Sequence, residues 1–423
     1  MRNKLMKHKV LLFLAFLFQT LNNVATVSMA YILMLVVNSI MNSQKSAFEK
    51  SIIYAIIVQI SSMLLNFIVI YVQNRFVREN MISLKVSILD ILFRYPFDWF
   101  QRKETNYYQS FVINDMKLIE DNFYRAILSI FKVLSLLITS LIMVVMINPW
   151  FVLGYPLVLG IGFLIPIIYQ KRLPRISMRV MEINQRFMKL ITEQLNGFGT
   201  IKSFQLFDKT KKSRDNFIKI QEKEKTIFSL NIEYSNAILF VLVAVIWVLV
   251  YYIGGTNVIN KSITIGGFVA LLRLVPDILN PCIQLPQYIN QLNSSKPALE
   301  KCNEIFTYPT VKKGSVSKTS LENKIDLRNL SFFYPASNEL ILNSITYTFQ
   351  KGKKYALVGE NGSGKSTLLK LLAGYYYEFM GDIYYDNQER KDMSEDDIFS
   401  MVSYMSQEIF LFDESIKDNI LLD

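Results

Sequence analysis

A chain of 423 residues that is 51% apolar and 19% charged, with a mean hydropathy of +0.25, cannot spread both kinds of residue evenly. The formal net charge of +11 comes from basic residues that crowd between hydrophobic runs, which is the charge bias of a membrane protein and argues against a nucleic-acid partner. Only two cysteines, Cys282 and Cys302, and one histidine, His8, are present, so a disulfide framework and a zinc cluster are excluded.

The basic start Arg2, Lys4, Lys7 and Lys9 leads into an apolar run longer than the h-region of a signal peptide. It predicts a first transmembrane helix from about Val10 to Val37 with a cytoplasmic N-terminus, and a second from about Ile52 to Val72. Arg75, Arg78, Lys85, Arg94, Arg102, Lys103 and Lys117 then mark a long cytoplasmic excursion, about 73–125. A third span is expected over Ile127 to Ile147, a tight turn at Asn148-Pro149-Trp150, and a fourth span over Phe151 to Tyr169. A second basic, helix-patterned excursion follows, about 170–235. The fifth span runs over Ile238 to Ile253 and the sixth over Ile263 to Pro286.

The expectation is an α-helical membrane domain of six spans with long cytoplasmic extensions over 1–310, multi-pass in the cell membrane. Polar residues inside the spans are candidates for a transport path or for helix packing: Gln19, Asn22, Asn23, Gln59 and Asn66, then Asn236 just before the fifth span. Arg273 and Asp277, one turn apart in the sixth, form a candidate ion pair.

A polar, basic linker over 311–324 gives way to short alternating strands: Ile325 to Phe333, Ile341 to Phe349, Tyr355 to Val358, Asp382 to Tyr385 and Val402 to Met405. After the apolar Ala356-Leu357-Val358, the residues Gly359, Gly364, Lys365 and Ser366 fill the spacing G-x-x-x-x-G-K-[ST], and Leu368, Leu369, Leu371 and Leu372 continue at helical spacing. A turn without β-carbons lets backbone N–H groups converge on phosphate oxygens, and the positive end of the following helix adds to the field. Gly359, Asn361, Gly362, Ser363, Gly364, Lys365, Ser366 and Thr367 are therefore the candidate ATP-binding residues. Lys365 is expected on the β- and γ-phosphates and the Ser366 hydroxyl on Mg²⁺. Residues 325–423 read as the first part of an α/β P-loop nucleotide-binding domain.

Six spans, two long cytoplasmic extensions and a C-terminal phosphate loop resemble an ATP-binding cassette (ABC) exporter half-transporter. The resemblance implies that Tyr334, in Ser331-Phe-Phe-Tyr-Pro335, stacks on adenine, and that Gln407, in Tyr404-Met-Ser-Gln-Glu-Ile-Phe-Leu-Phe412, touches Mg²⁺ and the attacking water. Tyr95-Pro-Phe-Asp-Trp-Phe100 with Asn114-Asp115 is similar to the first cytoplasmic loop, whose tip docks on the ATPase domain. A glycine common there is replaced around Tyr107-Tyr108. Gln194 to Lys202 with Phe207-Asp208 is similar to the second loop.

Other parts that the family uses for hydrolysis lie beyond Gln407 in its order: the signature loop, the Walker B aspartate and general-base glutamate, and the switch histidine. None is found in this sequence, whose one histidine, His8, precedes the first span. The chain is therefore expected to be truncated after the glutamine loop, inactive as an ATPase by itself, and without a catalytic residue of its own.

The implied partners are a second half-transporter, membrane lipid, and a transported peptide or hydrophobic small molecule. Apolar sequence begins within about ten residues of the start, which argues against a leader-trimming peptidase domain ahead of the spans. The rival expectation is a membrane-bound nucleotide sensor or decoy subunit that binds without turnover.

Overall fold

The computed structural model describes residues 5–149, 173–307, 320–334, 339–407 and 409–421. Helices α1 (Lys9–Met41), α2 (Lys45–Leu92) and α3 (Phe97–Phe100) come first. They are followed by α4 (Thr105–Ile147), which contains two π-helical stretches, Phe111–Asp115 and Glu120–Arg125. Then come α5 (Leu173–Asn196), α6 (Phe198–Ser203), α7 (Phe207–Ile259), α8 (Ile265–Ser294) and α9 (Lys296–Phe306). The C-terminal part holds β1 (Lys324–Phe333), β2 (Leu340–Gln350), α10 (Lys365–Leu372), β3 (Met380–Tyr385), β4 (Gln388–Glu389), α11 (Glu395–Met401) and α12 (Ile416–Leu421).

The chain divides into two compact units, Met6–Asn80 with Ile119–Lys296, and Met81–Leu118 with Pro297–Asp423 and the first residues. Four helical stretches are long and apolar enough to cross a membrane: Lys9–Met41, Lys45–Leu92, Thr105–Ile147 and Ile265–Phe306. They match the first, second, third and sixth expected spans. The fifth lies in the C-terminal part of α7, where Val243–Ile259 is a shorter apolar segment. The expected fourth span, Phe151 to Tyr169, lies outside the described residues.

In the membrane-type unit, α1, α4, α7 and α8 close on a core of Val27, Ala30, Val144, Ile246, Val250, Ala270, Leu271, Leu274, Val275 and Ile278. Small residues allow the approach. A β-carbon on Gly266 would stand 2.4 Å from the Met34 carbonyl oxygen, and the Gly266 N–H instead donates to Asn38 Oδ1 at 3.1 Å. The outward side of α2 leaves Ile53, Ile56, Ile57, Ile60, Leu64 and Phe67 exposed, an apolar surface of the kind that lipid covers.

The polar span residues divide as packing chemistry requires. Gln73 donates to Gln19 at 3.1 Å, Gln19 to Asn23 at 2.9 Å, and Asn23 to Ser135 Oγ at 2.7 Å and the Lys132 carbonyl at 3.1 Å. Ser62 donates to Asn22 at 3.2 Å. This chain of amides ties α1 to α2 and α4, because a buried amide without a partner is costly in an apolar surrounding. Arg273 pairs with Asp277 at 2.9 Å, as their one-turn spacing predicts. Gln59 and Asn66 are exposed on α2, and the Asn236 side chain lies outside the described residues.

The second unit carries a four-stranded antiparallel sheet in the order β2-β1-β3-β4. Its inner face meets α10 and α11 over Leu327, Leu330, Phe332, Leu342, Leu368, Leu371, Tyr376, Ile383, Tyr385 and Ile398. Two expected strands do not form. Tyr355 to Val358 and Val402 to Met405 are irregular, and Val358 and Met405 are 89% and 87% exposed. Both stretches are apolar in pattern, but a strand exists only with a ladder partner, and among the described residues they have none. The sheet that forms is thus antiparallel throughout, and the parallel α/β core expected of a P-loop domain is not seen among the described residues.

Candidate functional site

The phosphate-loop residues stand between the end of β2 and the start of α10. Gly362 and Gly364 both sit at φ +86°, in the left-handed region that favours glycine. At Gly364 the space is also closed: an added β-carbon would lie 2.7 Å from Leu342 Cδ2 and 3.1 Å from the Ile341 carbonyl oxygen. The two glycines therefore bend the chain tightly enough for α10 to begin at Lys365. The first N–H groups of such a helix have no partner within it, so they and the helix dipole favour an anion.

Lys365 Nζ curls back over the loop and donates to the carbonyl oxygens of Gly359 at 2.8 Å and Glu360 at 2.7 Å. This places the ammonium across the loop where a phosphate chain would pass. Ser366 is exposed beside it, with Asn361, Gly362 and Ser363 exposed on the loop itself. Thr367 is buried and its hydroxyl shares a 2.8 Å hydrogen bond with the Tyr334 hydroxyl. The Tyr334 ring meets Phe332 edge-on at 5.2 Å and Tyr376 at 5.7 Å. Tyr334 is thus held at the end of β1 next to α10, joined to the residue two places after the loop lysine.

Donor chemistry and shape both fit a nucleoside triphosphate with Mg²⁺. The loop offers backbone N–H groups, one ammonium and the exposed hydroxyls of Ser363 and Ser366, and its turn leaves no room for a side chain at Gly364. Gln407 is exposed on the irregular stretch after α11, and the structure does not bring it into hydrogen-bond contact with the loop among the described residues. Just beyond it, Asn419 folds the chain back, donating to the carbonyls of Phe412, Glu414 and Ser415 and accepting from the Phe412 N–H at 2.7 Å. Sequence reasoning overlooked Asn419; its only signal is an amide inside a short Ser-capped helix start.

The same unit contains a docking contact. Helix α3 seats Phe97 edge-on against Tyr375, ring centroids 4.3 Å apart, while Tyr376 donates to Gln101 at 3.2 Å and Arg102 reaches Glu378 at 3.3 Å. Aromatic pairs of this geometry contribute roughly 0.5–1.5 kcal/mol beyond area burial, whereas an exposed ion pair adds little. The tyrosines that stand where a glycine is common find work of their own: Tyr108 stacks on Phe100 at 4.6 Å, and Tyr107 lies 5.5 Å from Lys301 Nζ. Lys301 in turn pairs with Asp115 at 2.7 Å, and Tyr95 donates to the Ile305 carbonyl at 3.3 Å. Burial and the neighbouring tyrosines push the Tyr95 hydroxyl up to about 12, so it stays a donor. Tyr375 and Tyr376, which follow α10 after Ala373 and Gly374, were not singled out from sequence, although they supply most of this seat.

The family model described as ABC transporter transmembrane region matches residues 12–280, and the one described as ABC transporter matches residues 342–420. Among curated relatives, the chain is 25% identical over 342 residues to a lactococcin transport/processing ATP-binding protein, LcnC-like, of Lactococcus lactis, covering 81% of this chain and 48% of that protein. It is 29% identical over 177 residues to the microcin-J25 export ATP-binding/permease protein McjD of Escherichia coli, covering 41% and 30%. It is likewise 29% identical over 184 residues to an ATP-dependent lipid A-core flippase of Pseudomonas fluorescens, covering 43% and 30%. The chain thus spans about half the length of the lactococcin transport relatives it matches. With a family match over more than half its length, the chain belongs to the ABC transporter family, and it carries both a membrane region and an ATP-binding region of that family.

Proposed function

We propose that this chain serves ATP-driven export of a peptide or a hydrophobic compound across the cytoplasmic membrane, working as a dimer by alternating access. The observation that carries the reading is the pairing, within one unit, of a phosphate loop with the seat of α3. Lys365 crosses the loop at 2.7–2.8 Å from its carbonyls, and the residues right after α10 hold Phe97, Gln101 and Arg102. A segment that ends between two membrane-type helices is thereby attached to the element that starts at the nucleotide, which is what conversion of ATP binding into helix movement needs.

In this reading the N-terminus and the ATP-binding region are cytoplasmic. Gly359 to Thr367 would hold the triphosphate, Tyr334 would lie toward the base, and Ser366 and Gln407 would each offer an oxygen to Mg²⁺. The metal would neutralise phosphate charge during transfer; Lys365 and the loop amides bind and orient the phosphates. Turnover needs further groups beyond the phosphate loop; what is assigned to Gly359 to Thr367 is nucleotide binding. The peptide and lipid A-core relatives support a cargo that is at least partly apolar, as do Gln19, Asn23 and Ser135, which are occupied with one another.

The competing reading is a non-hydrolysing regulator or decoy subunit. Inverted vesicles from cells that make the protein separate the two. Export predicts ATP-dependent accumulation of a peptide or amphipathic dye that Lys365→Ala abolishes. A decoy predicts nucleotide binding with no accumulation and no change in turnover on adding cargo.

A further inference from the structure

The seat of α3 buries two carboxyl groups. Asp98, in α3, is 4% exposed and its Oδ1 is buried without a hydrogen-bond partner. Glu395, at the start of α11, has its Oε1 buried in the same condition. Glu395 lies close enough to feel the charge of Asp98 and the backbone N–H of the adjacent Phe97. They therefore occupy one pocket at the docking contact.

The surrounding charges do not neutralise them. Arg390 attracts Glu395, but its guanidinium is fully buried over the Tyr377 ring at 4.0 Å and donates to the carbonyls of Met393 at 3.3 Å and Gly374 at 3.1 Å. Arg102 attracts Asp98 while pairing with Glu378, whose carboxylate repels Asp98. Asp396 adds repulsion toward Glu395, and the Tyr376 hydroxyl also faces Asp98. Two acids thus share a mostly apolar, aromatic surround with two guanidiniums, of which Arg102 pairs with Glu378 and Arg390 keeps a buried Nε without a hydrogen-bond partner.

We propose that Asp98 and Glu395 make the seating of α3 on the ATP-binding part a proton-linked contact, tight when at least one of the two carboxyls is protonated and weakened when both are ionised. It rests on the export reading only in taking α3 as the coupling segment. Burying an ionised carboxylate without a partner is costly, and two in one pocket cannot both ionise cheaply. Burial pushes Glu395 up to about 7, and burial also raises Asp98.

A raised value in the seated state means that seating takes up a proton. Its strength is full below the ordinary carboxylate range, declines as pH rises through that range, and levels off above about 7. With Glu395 returning to its ordinary value of 4.5 when released, the seating constant falls about tenfold between pH 6 and pH 8.

Amide hydrogen exchange on the full chain in nanodiscs reads this directly. Phe100 N–H donates to Pro96 and Gln101 N–H to Phe97, both at 3.0 Å, and a four-residue helix does not persist unless it is docked. After correction for the intrinsic rate, protection at these two amides is expected to fall about tenfold from pH 6 to pH 8. Glu395→Gln should remove most of that slope and raise protection at pH 8, Asp98→Asn should reduce it, and Asp396→Asn, on the exposed side, should keep it. A flat profile in the parent, or a parent-like slope in Glu395→Gln, overturns the proposal. Should Asp98→Asn misfold, Glu395→Gln still decides. Exchange reports the contact whether or not cargo moves, so failure here leaves the export reading standing, and failure of export leaves this result readable.

Discussion

The membrane-type unit and the sheet-bearing unit are built by opposite rules. In the first, apolar side chains face outward along α2, while Gln19, Asn23 and Ser135 turn inward and satisfy one another. In the second, apolar residues are inside and the working surface is backbone, shaped by Gly362 and Gly364 at positive φ. The difference teaches where single substitutions bite: side-chain partners decide the helical unit, and backbone shape decides the nucleotide loop.

The largest expected effect lies in the loop. Gly364→Val should be destabilising by about 3 kcal/mol or more, since it combines left-handed backbone with a β-carbon only 2.7 Å from Leu342 Cδ2. Thermal unfolding of the sheet-bearing unit and nucleotide binding should both suffer; near-parent values of both would show that the loop tolerates a side chain. Lys365→Ala should leave the melting profile alone and cost about 1.5–3 kcal/mol of nucleotide affinity, the worth of a charge-assisted contact. Titration with a fluorescent ATP analogue checks it.

Next comes the helical unit. Asn23→Leu removes a donor to Ser135 and the Lys132 carbonyl and strands Gln19, so a loss of about 1–2 kcal/mol is expected in detergent unfolding, with nucleotide binding unchanged. An effect on nucleotide binding as large as that of Lys365→Ala would erase the distinction between the units. The smallest effect is expected from Arg102→Ala: its pair with Glu378 is 72% exposed on the acid, so about 0.5 kcal/mol or less should be lost in a double-mutant cycle.

Much of this was legible in sequence, for identifiable reasons. Span hydropathy and the spacing of Gly359, Gly364, Lys365 and Ser366 are local signals, and both were readable without tertiary information. Arg273 with Asp277 followed from helix periodicity. The irregular courses of Tyr355 to Val358 and Val402 to Met405 did not follow, because strand pairing depends on partners elsewhere. The shared pocket of Asp98 and Glu395 is likewise a product of folding: they lie nearly three hundred positions apart and neither has a local pattern that marks it. Gly254 shows the same limit inside the membrane-type unit, where only packing reveals that a β-carbon would strike the Phe268 ring at 2.1 Å.

The most direct test of the account is equilibrium binding of ATP with Mg²⁺ to the purified full chain, compared with Lys365→Ala and Asn23→Leu. The account predicts saturable, Mg²⁺-dependent binding that Lys365→Ala weakens at least about tenfold and Asn23→Leu leaves intact. Equal binding by the parent and Lys365→Ala, or no binding by the parent, would contradict the assignment of Gly359 to Thr367 as the nucleotide site.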